Sequence, residues 1–229
     1  MRKLLFVLVT WKKEALISCI LCCLFLCSCT YKADVQPVTT ATVYSSYDEK
    51  IGGNIAVLVE HNDLFKCADA GIYADTPHKF PMDITNSLVD SVIMLSKQLF
   101  DNSEYVLEQP SIKNENENKK LFDGTLIVKG KHFEPRLQFK NRFWDTPSAE
   151  ADIEIAFDFT VKDKYGNTLI YSTVKSTGET IQNANSDYSG GAKALSVAAS
   201  KALEDCLEQM AEKISNSEKV RKYLMQTQK

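Results

Sequence analysis

Apolar residues recur along the first half of the chain in two different periods. Asn54–Glu60 is a short continuous apolar run, which is typical of a buried strand. After a loop containing Gly71, Pro77 and Pro81, the spacing changes to three and four residues, which predicts an amphipathic helix to about Phe100. Asp83 stands before this helix, where a carboxylate can accept hydrogen bonds from free backbone N–H groups. The apolar positions of the helix are Ile84, Leu88, Val92, Leu95 and Leu99.

The second half is dominated by strand patterns. Glu104–Glu108 and Phe122–Phe133 are strand candidates, and we expect Pro135 to end the second one because proline cannot donate to a ladder. Ala151–Lys162 alternates strictly between apolar and polar residues, so one set faces inward and the other faces water. Turn residues at 165–167 precede Thr168–Ile181, which predicts an antiparallel partner strand.

A helix closes the pattern. From Ser189 to about Ser215, apolar residues recur at helical spacing, and Lys219–Leu224 adds a short terminal turn. The element order is β-α-β-β-β-β-α, whose first β-α-β unit is expected to be a right-handed parallel crossover. The sequence therefore predicts an α+β fold with two layers: a mixed, mostly antiparallel sheet with two helices packed on one face.

The N-terminus has the pattern of an export signal. Four basic residues within residues 1–28 precede or interrupt the apolar segments, and Ala15–Cys27 is an apolar run of thirteen residues. A membrane-spanning helix needs about 20 residues, so this run fits a signal peptide better. The alternative is an uncleaved anchor that also uses Leu4–Trp11. The charges between the two runs oppose it, at about 2.5–3.5 kcal/mol for each central charge.

The end of the signal, Leu26-Cys27-Ser28-Cys29, resembles the lipobox of bacterial lipoproteins, with Cys27 as a departure from the usual small residue. The resemblance implies cleavage before Cys29 and lipidation of that cysteine. Thr30 replaces the Asp that would resemble an inner-membrane retention signal, which favours the outer membrane. We therefore divide the chain into a signal peptide (1–28), the lipidated cysteine with a flexible tether (29–50) and a single α+β periplasmic domain (51–229). About twenty extended tether residues would reach roughly 65–70 Å.

The C-terminal half resembles the YajG-like bacterial lipoproteins. The residues that carry the resemblance are Ala151–Ile155, Gly166-Asn167, Ser176–Glu179, Ala192–Ile214 and Val220–Leu224. The resemblance implies a location and an architecture. It implies no catalytic residues, because that family has no established catalytic activity.

Two cysteines, Cys67 and Cys206, remain after the signal and the lipidated residue are set aside. In an oxidising compartment an even pair suggests one disulfide, worth about 4–5 kcal/mol for so long a loop. Two separate buried thiols are the alternative, since Cys206 lies on the apolar face of the last predicted helix.

Charge and motifs exclude several functions. The whole chain has a net charge of -3 and the signal region contributes +3, so the remainder carries about -6. This acidity disfavours nucleic-acid binding. His61, His78 and His132 are far apart in the sequence, and no metal, phosphate-loop or nucleophile-elbow motif occurs. We therefore predict no enzyme activity, no metal and no cofactor.

Two features suggest binding. Asp152, Glu154 and Asp158 form an acidic row on one strand, which fits a cation, a basic partner or simply the wet face of a sheet. Arg142, Phe143 and Trp144 are residue types enriched at interface hot spots, and they are the predicted partner-binding residues.

We predict a membrane-anchored lipoprotein of the outer membrane that faces the periplasm. The membrane, through the lipid, and an envelope protein are its expected partners, and the domain would act as a non-catalytic interaction or assembly module. The alternative is a surface-exposed adhesin or ligand-binding lipoprotein.

Overall fold

The computed structural model describes residues 30–38, 49–60, 63–71, 78–108, 122–140, 147–185 and 188–226. They form an α+β fold with a five-stranded mixed sheet, a two-stranded sheet and three α-helices. The strands are β1 (Ile51–Glu60), β2 (Lys66–Cys67), β3 (Met82–Asp83), β4 (Phe100–Tyr105), β5 (Gly124–Lys140), β6 (Ser148–Asp163) and β7 (Thr168–Asn183). The helices are α1 (Thr85–Leu99), α2 (Gly190–Ser215) and α3 (Glu218–Gln226).

The large sheet has the strand order β4-β1-β5-β6-β7. β1 runs parallel to both β4 and β5, whereas β5, β6 and β7 are antiparallel hairpin neighbours. The predicted fold class is therefore confirmed, including the parallel β1-α1-β4 unit. β4 begins four residues before the predicted strand start, because the chain enters it directly from the end of α1 at Leu99.

Pro135 does not end β5, and this prediction was wrong. Pro135 lies opposite Ile153 in a ladder that continues as far as Lys140. The pairing between β1 and β5 stops at Lys129, so the outer half of β5 pairs with β6 alone. A strand with one neighbour tolerates a residue that cannot donate on its free side.

One face of the sheet forms the core. Five side chains of β6 are fully buried on this face: Ile153, Ile155, Phe157, Phe159 and Val161. They belong to one apolar cluster with α1, α2 and α3, so the helices cover this face as predicted. Alternation places the polar residues of β5, β6 and β7 on the other side. We call this side the open face; its principal residues are Glu134, Arg136, Glu150, Asp152, Glu154, Asp158, Thr173, Lys175, Glu179 and Ile181.

The contact between α2 and β7 is unusually close at Gly178. A Cβ atom added to this glycine would lie 1.9 Å from the carbonyl oxygen of Ala198 and 2.8 Å from the backbone nitrogen of Ala202. The facing side of α2 is built from small buried residues, including Ala198 and Ala202. Small residues on both elements therefore allow the helix backbone to approach the strand directly.

α2 and α3 also cover the exposed edge of β7. Lysine and glutamine side chains donate hydrogen bonds of 2.7–3.1 Å to carbonyl oxygens along this sixteen-residue edge strand. Unpaired edge carbonyls are templates for strand addition, so these donors oppose edge-to-edge association. The pairs are Lys201 with Glu179, Gln209 with Lys175, Lys213 with Thr173 and Lys219 with Thr168.

The turn between β6 and β7 is organised by Asp163, which is 8% exposed. Its carboxylate accepts hydrogen bonds from the backbone N–H groups of Tyr165 (2.9 Å) and Asn167 (2.8 Å) and from the Asn167 amide (2.9 Å). Gly166 has a φ of 87°, a conformation that glycine adopts without a steric penalty. Burial raises the pKa of Asp163, but the hydrogen bonds from Asn167 and Tyr165 outweigh it, and the pKa lies below its ordinary value.

Residues 30–38 pack against the domain, which corrects the prediction of a flexible tether for this part of residues 29–50. The backbone N–H of Tyr31 donates to Lys79 (2.9 Å) and that of Ala33 donates to Pro81 (3.0 Å). Ala33 and Val35 are buried in the core. Tyr31, Ala33 and Val35 alternate with polar residues, and this period-two signal is hidden in a stretch of polar composition. Residues 39–48 lie outside the described part of the chain.

Candidate functional site

Four residues that the sequence singles out lie outside the described residues. They are the predicted lipidation site Cys29 and the predicted partner-binding residues Arg142, Phe143 and Trp144. The segment that contains the last three connects Lys140 at the end of β5 with β6. Two aromatic residues of β5, the strand that precedes this segment, pack inward. Phe133 contacts Phe65, and Phe139 contacts Phe80.

Cys67 and Cys206 are free thiols, so the structure contains the separate thiols and not the disulfide. Cys206 is fully buried in α2, where its Sγ atom lies 3.5 Å from the carbonyl oxygen of Ile155 on β6. Cys67 lies on β2, partly buried at the rim of the core. Burial raises the pKa of the Cys206 thiol to about 12, so it stays protonated and unreactive at neutral pH.

The acidic row of β6 is matched by cations on the neighbouring strands. An Asp158 oxygen lies 3.2 Å from the Lys131 ammonium, and a Glu154 oxygen lies 2.7 Å from the Lys175 ammonium. Asp152 lies 3.6 Å from the Arg136 guanidinium. Because each carboxylate of the row has a basic partner across the sheet, the row is a charge-paired surface and not an open cation site.

The pairing is visible in the pKa values of two of these carboxylates. A hydrogen bond from Lys175 lowers the pKa of Glu154 below its ordinary value. Burial raises the pKa of Asp158, but hydrogen bonds from Thr173 and Lys131 outweigh it and leave the pKa lowered. Both groups are therefore ionised at neutral pH, and the open face keeps alternating charges.

His132 lies within the same network. Its Nε2 atom is 3.0 Å from a Glu154 oxygen and 3.5 Å from a Glu134 oxygen. His78 lies elsewhere, against the rings of Tyr31 and Tyr188. Within the described ranges, no group of three or more His, Cys, Asp or Glu side chains is arranged to hold a metal ion.

A shallow depression of about 470 Å³ lies on the open face, at the end of the sheet where β5 and β7 finish and β6 begins. Its lining includes Arg136, Asp152 and Glu179, with Ile181 at its rim. Ile181 is 68% exposed, although it is a large apolar residue in a regular strand. The depression thus combines an apolar side chain with charged groups of both signs.

Sequence reasoning missed Ile181, although a signal was present. Tyr171 is exposed on the same face, but the four outward positions of β7 between it and Ile181 are polar: Thr173, Lys175, Thr177 and Glu179. Ile181 interrupts this polar set on the solvent side of the predicted strand. A single apolar residue of this kind is common on protein surfaces, and only the neighbouring depression distinguishes it.

The arrangement is suited to contact with a macromolecule. A projecting apolar side chain surrounded by polar and charged groups has the composition of a small interface centre with a polar rim. In the part of the chain that the structure describes, none of the helices is both long and apolar enough to cross a bilayer.

No protein-family model and no curated protein matches this chain. Among solved structures, it is similar to a Xanthomonas campestris protein of family-model DUF330, at 14% identity and a TM-score of 0.43, over 87% of this chain and 96% of that one. It is similar to a Helicobacter pylori protein described as a neuraminyllactose-binding hemagglutinin homolog, at 8% identity and a TM-score of 0.45, over 85% and 99%. A minor lipoprotein from Acinetobacter baumannii has 12% identity and a TM-score of 0.36, over 70% and 91%. Similarity at this level assigns neither a family nor a function, so the functional argument rests on the residues of this chain.

Proposed function

We propose that this chain is a lipid-anchored, non-catalytic interaction module of the bacterial cell envelope, held at the outer membrane with its domain in the periplasm. The lipobox pattern ending at Cys29 supports the anchor and the location. The docking surface for a protein partner is the depression on the open face, with Ile181 as its apolar contact. One observation carries this assignment: a 68% exposed isoleucine beside a depression that is lined by charged groups of both signs.

Ion pairing on the open face explains why this surface suits a protein partner better than a free cation. In the depression itself, Arg136 lies 3.6 Å from Asp152 and Lys140 pairs with Glu150, which reduces the negative charge that would attract a small cation. They still offer donors and acceptors at fixed positions, which favour a partner with complementary charges. The apolar contact at Ile181 contributes affinity through burial, at about 25 cal/mol for each Å² of apolar surface removed from water.

The anchor is tested by labelling growing cells with a clickable palmitate analogue and fractionating the membranes. We expect label and outer-membrane recovery for the wild type and the loss of both for Cys29→Ala. Absence of label in the wild type would refute the lipoprotein assignment. Protease treatment of whole cells then tests the orientation, because a domain cut by external protease is surface-exposed, as an adhesin would be.

The docking surface is tested with a photoreactive amino acid at position 181 and, as a matched control, at position 165. Ile181 and Tyr165 are 68% and 66% exposed, but Tyr165 lies in the β6–β7 turn at the other end of the sheet. We expect a protein adduct in cells from position 181 and none from position 165. In a deletion strain with weakened envelope integrity, Tyr165→Asp should restore the wild-type phenotype and Ile181→Asp should not. Full complementation by Ile181→Asp, or adducts of equal yield from both positions, would contradict the assignment.

A further inference from the structure

The segment that follows Cys29 is attached to the domain from its first described residue. Thr30 forms a parallel bridge with Lys79, and Ala33 forms the next one with Met82. The hydroxyl of Ser87 in α1 donates to the carbonyl of Val35, and the Ser91 hydroxyl accepts from the backbone of Val38 at 2.9 Å. This segment has β-type pairing and buried side chains, so it lacks the freedom of a linker.

An aromatic cluster fixes the start of this segment at one end of the domain. The ring of Tyr31 lies 5.9 Å from that of Phe80 and 5.4 Å from that of His78. Phe80 in turn contacts Phe139 (5.6 Å), which contacts Tyr188 (4.9 Å) just before α2. Thr30 therefore lies at the end of the domain where β5 finishes and α2 begins.

Covalent geometry makes the position of Thr30 informative. The Cα atom of Cys29 lies about 3.8 Å from that of Thr30 across one peptide bond. An acyl-bearing cysteine at position 29 would therefore enter the membrane directly beside the docked segment. With residues 30–38 paired to the domain, the reach expected for a free tether of some twenty residues is lost.

We propose that the end of the domain around Thr30 rests against the bilayer surface that holds the lipid, because no flexible linker separates the lipidated cysteine from the docked residue Thr30. We call this the anchor end; it comprises Thr30, Lys32, His78, Lys79, Tyr188 and Lys193. This inference rests on the proposed lipid anchor, and it adds the orientation of the domain and the identity of one contact surface.

The chemistry of the anchor end fits a lipid surface. Lys32, Lys79 and Lys193 are exposed there, and none of them forms an ion pair with another residue in the described ranges. Lysine ammonium groups are attracted to the phosphates of lipid headgroups. His78 and Tyr188 add rings with an apolar body and a polar tip, which suit the boundary between lipid and water.

This orientation also positions the depression. Glu150 and Asp152 lie two and four residues from Ser148, so they stand within about 15 Å of the outer end of the sheet at a strand rise of about 3.3 Å per residue. β6 has sixteen residues, and the fifteen steps from Ser148 to Asp163 place the β6–β7 turn about 50 Å away. The partner-binding depression would thus lie close to the membrane, and the turn would point away from it.

The test uses the full lipidated protein in vesicles of phosphatidylethanolamine and phosphatidylglycerol that contain a headgroup-attached quencher. A fluorophore is placed on Lys193→Cys at the anchor end or on Tyr165→Cys at the far turn, both in a Cys67→Ala background. Cys206 stays unlabelled because it is buried. We expect strong quenching at position 193, at least three times that at position 165.

A spacer distinguishes a short connection from other causes of proximity. Twenty Gly and Ser residues inserted between Thr30 and Tyr31 keep the lipobox and the residues that dock from Tyr31 onward. We expect quenching at position 193 to fall to the level at position 165. Equal quenching at the two positions without the spacer, or unchanged quenching at position 193 with it, would overturn the proposal. Palmitate incorporation is measured on the same samples, so failure of the lipid anchor itself is recognised separately.

Discussion

Gly178 is a position where one added methyl group should destabilise the domain strongly. The carbonyl oxygen of Ala198 lies 1.9 Å from where the Cβ atom of alanine would be, whereas ordinary contacts begin at about 3.4 Å. Gly178→Ala therefore requires α2 to move by about 1.5 Å, because both contacting groups belong to backbones that cannot rotate away.

The magnitude follows from what that movement would open. α2 packs along β6 and β7 through buried residues such as Leu195 and Cys206, and a gap of this size loses more than half of the dispersion energy of each contact. Overpacking typically costs 1–3 kcal/mol, and the backbone contact places Gly178→Ala near the upper limit, at about 3 kcal/mol. The reduced freedom of the unfolded chain returns about 0.4–1 kcal/mol. For a domain of this size, the net loss corresponds to a fall in Tm of roughly 5–10 °C.

The measurement is thermal and urea unfolding of the chain from residue 29 onward in its Cys29→Ser form, followed by circular dichroism. Thr177→Ala is the matched control, since the neighbouring side chain is exposed on the open face and its removal should cost less than about 1 kcal/mol. Ala198→Gly should not rescue Gly178→Ala, because the clash involves the Ala198 carbonyl and not its methyl group. A Gly178→Ala protein that melts within 2 °C of the wild type would refute the reasoning.

Three further predictions concern thiols, pH and association. In the native protein, a thiol reagent should modify Cys67 within minutes and Cys206 only after unfolding, since burial raises the pKa of Cys206 to about 12. Rapid modification of both thiols in the native protein would contradict this. Asp163→Asn should lower the free energy of unfolding at pH 7 by about 1–3 kcal/mol, the cost of losing charge-assisted hydrogen bonds. Because the pKa of Asp163 is lowered on folding, its contribution to stability is present above the ordinary pKa of 3.8 and is lost as the pH falls through the native pKa. Urea unfolding at pH 7 and in acid should therefore show that the difference in stability between the wild type and Asp163→Asn shrinks as the pH falls. A gap of equal size at both pH values would exclude this cause. The triple substitution Lys201→Ala, Gln209→Ala and Lys213→Ala removes three donors to the β7 edge and should produce dimers and larger species in sedimentation velocity. An unchanged distribution would show that these donors are not what prevents edge-to-edge association.

Local patterns predicted the elements wherever one face of an element is buried. Ala151–Lys162 alternates because β6 has a helix-covered face and an open face, and the helical spacing before Phe100 reflects the burial of one side of α1. The pattern failed at Pro135, because a local rule about proline does not include which side of the strand lacks a neighbour.

The candidate site was less accessible from the sequence. The acidic row of β6 was visible in the alternation, but its neutralisation depends on cations that come from other strands. Lys131 is 27 residues from Asp158 in the sequence, and Lys175 is 21 residues from Glu154, so each pair meets only through the register of the sheet.

The sequence by itself determined the fold class, the two faces of the sheet and the expectation of a lipid anchor, because these depend on periodicity and on a contiguous motif. Only the tertiary structure decided that residues 30–38 dock on the domain, that Cys206 is separated from Cys67, and that Ile181 stands beside a depression. Each of these depends on contacts between residues that are distant in the chain. Such contacts follow from strand register and helix placement, which no single segment encodes.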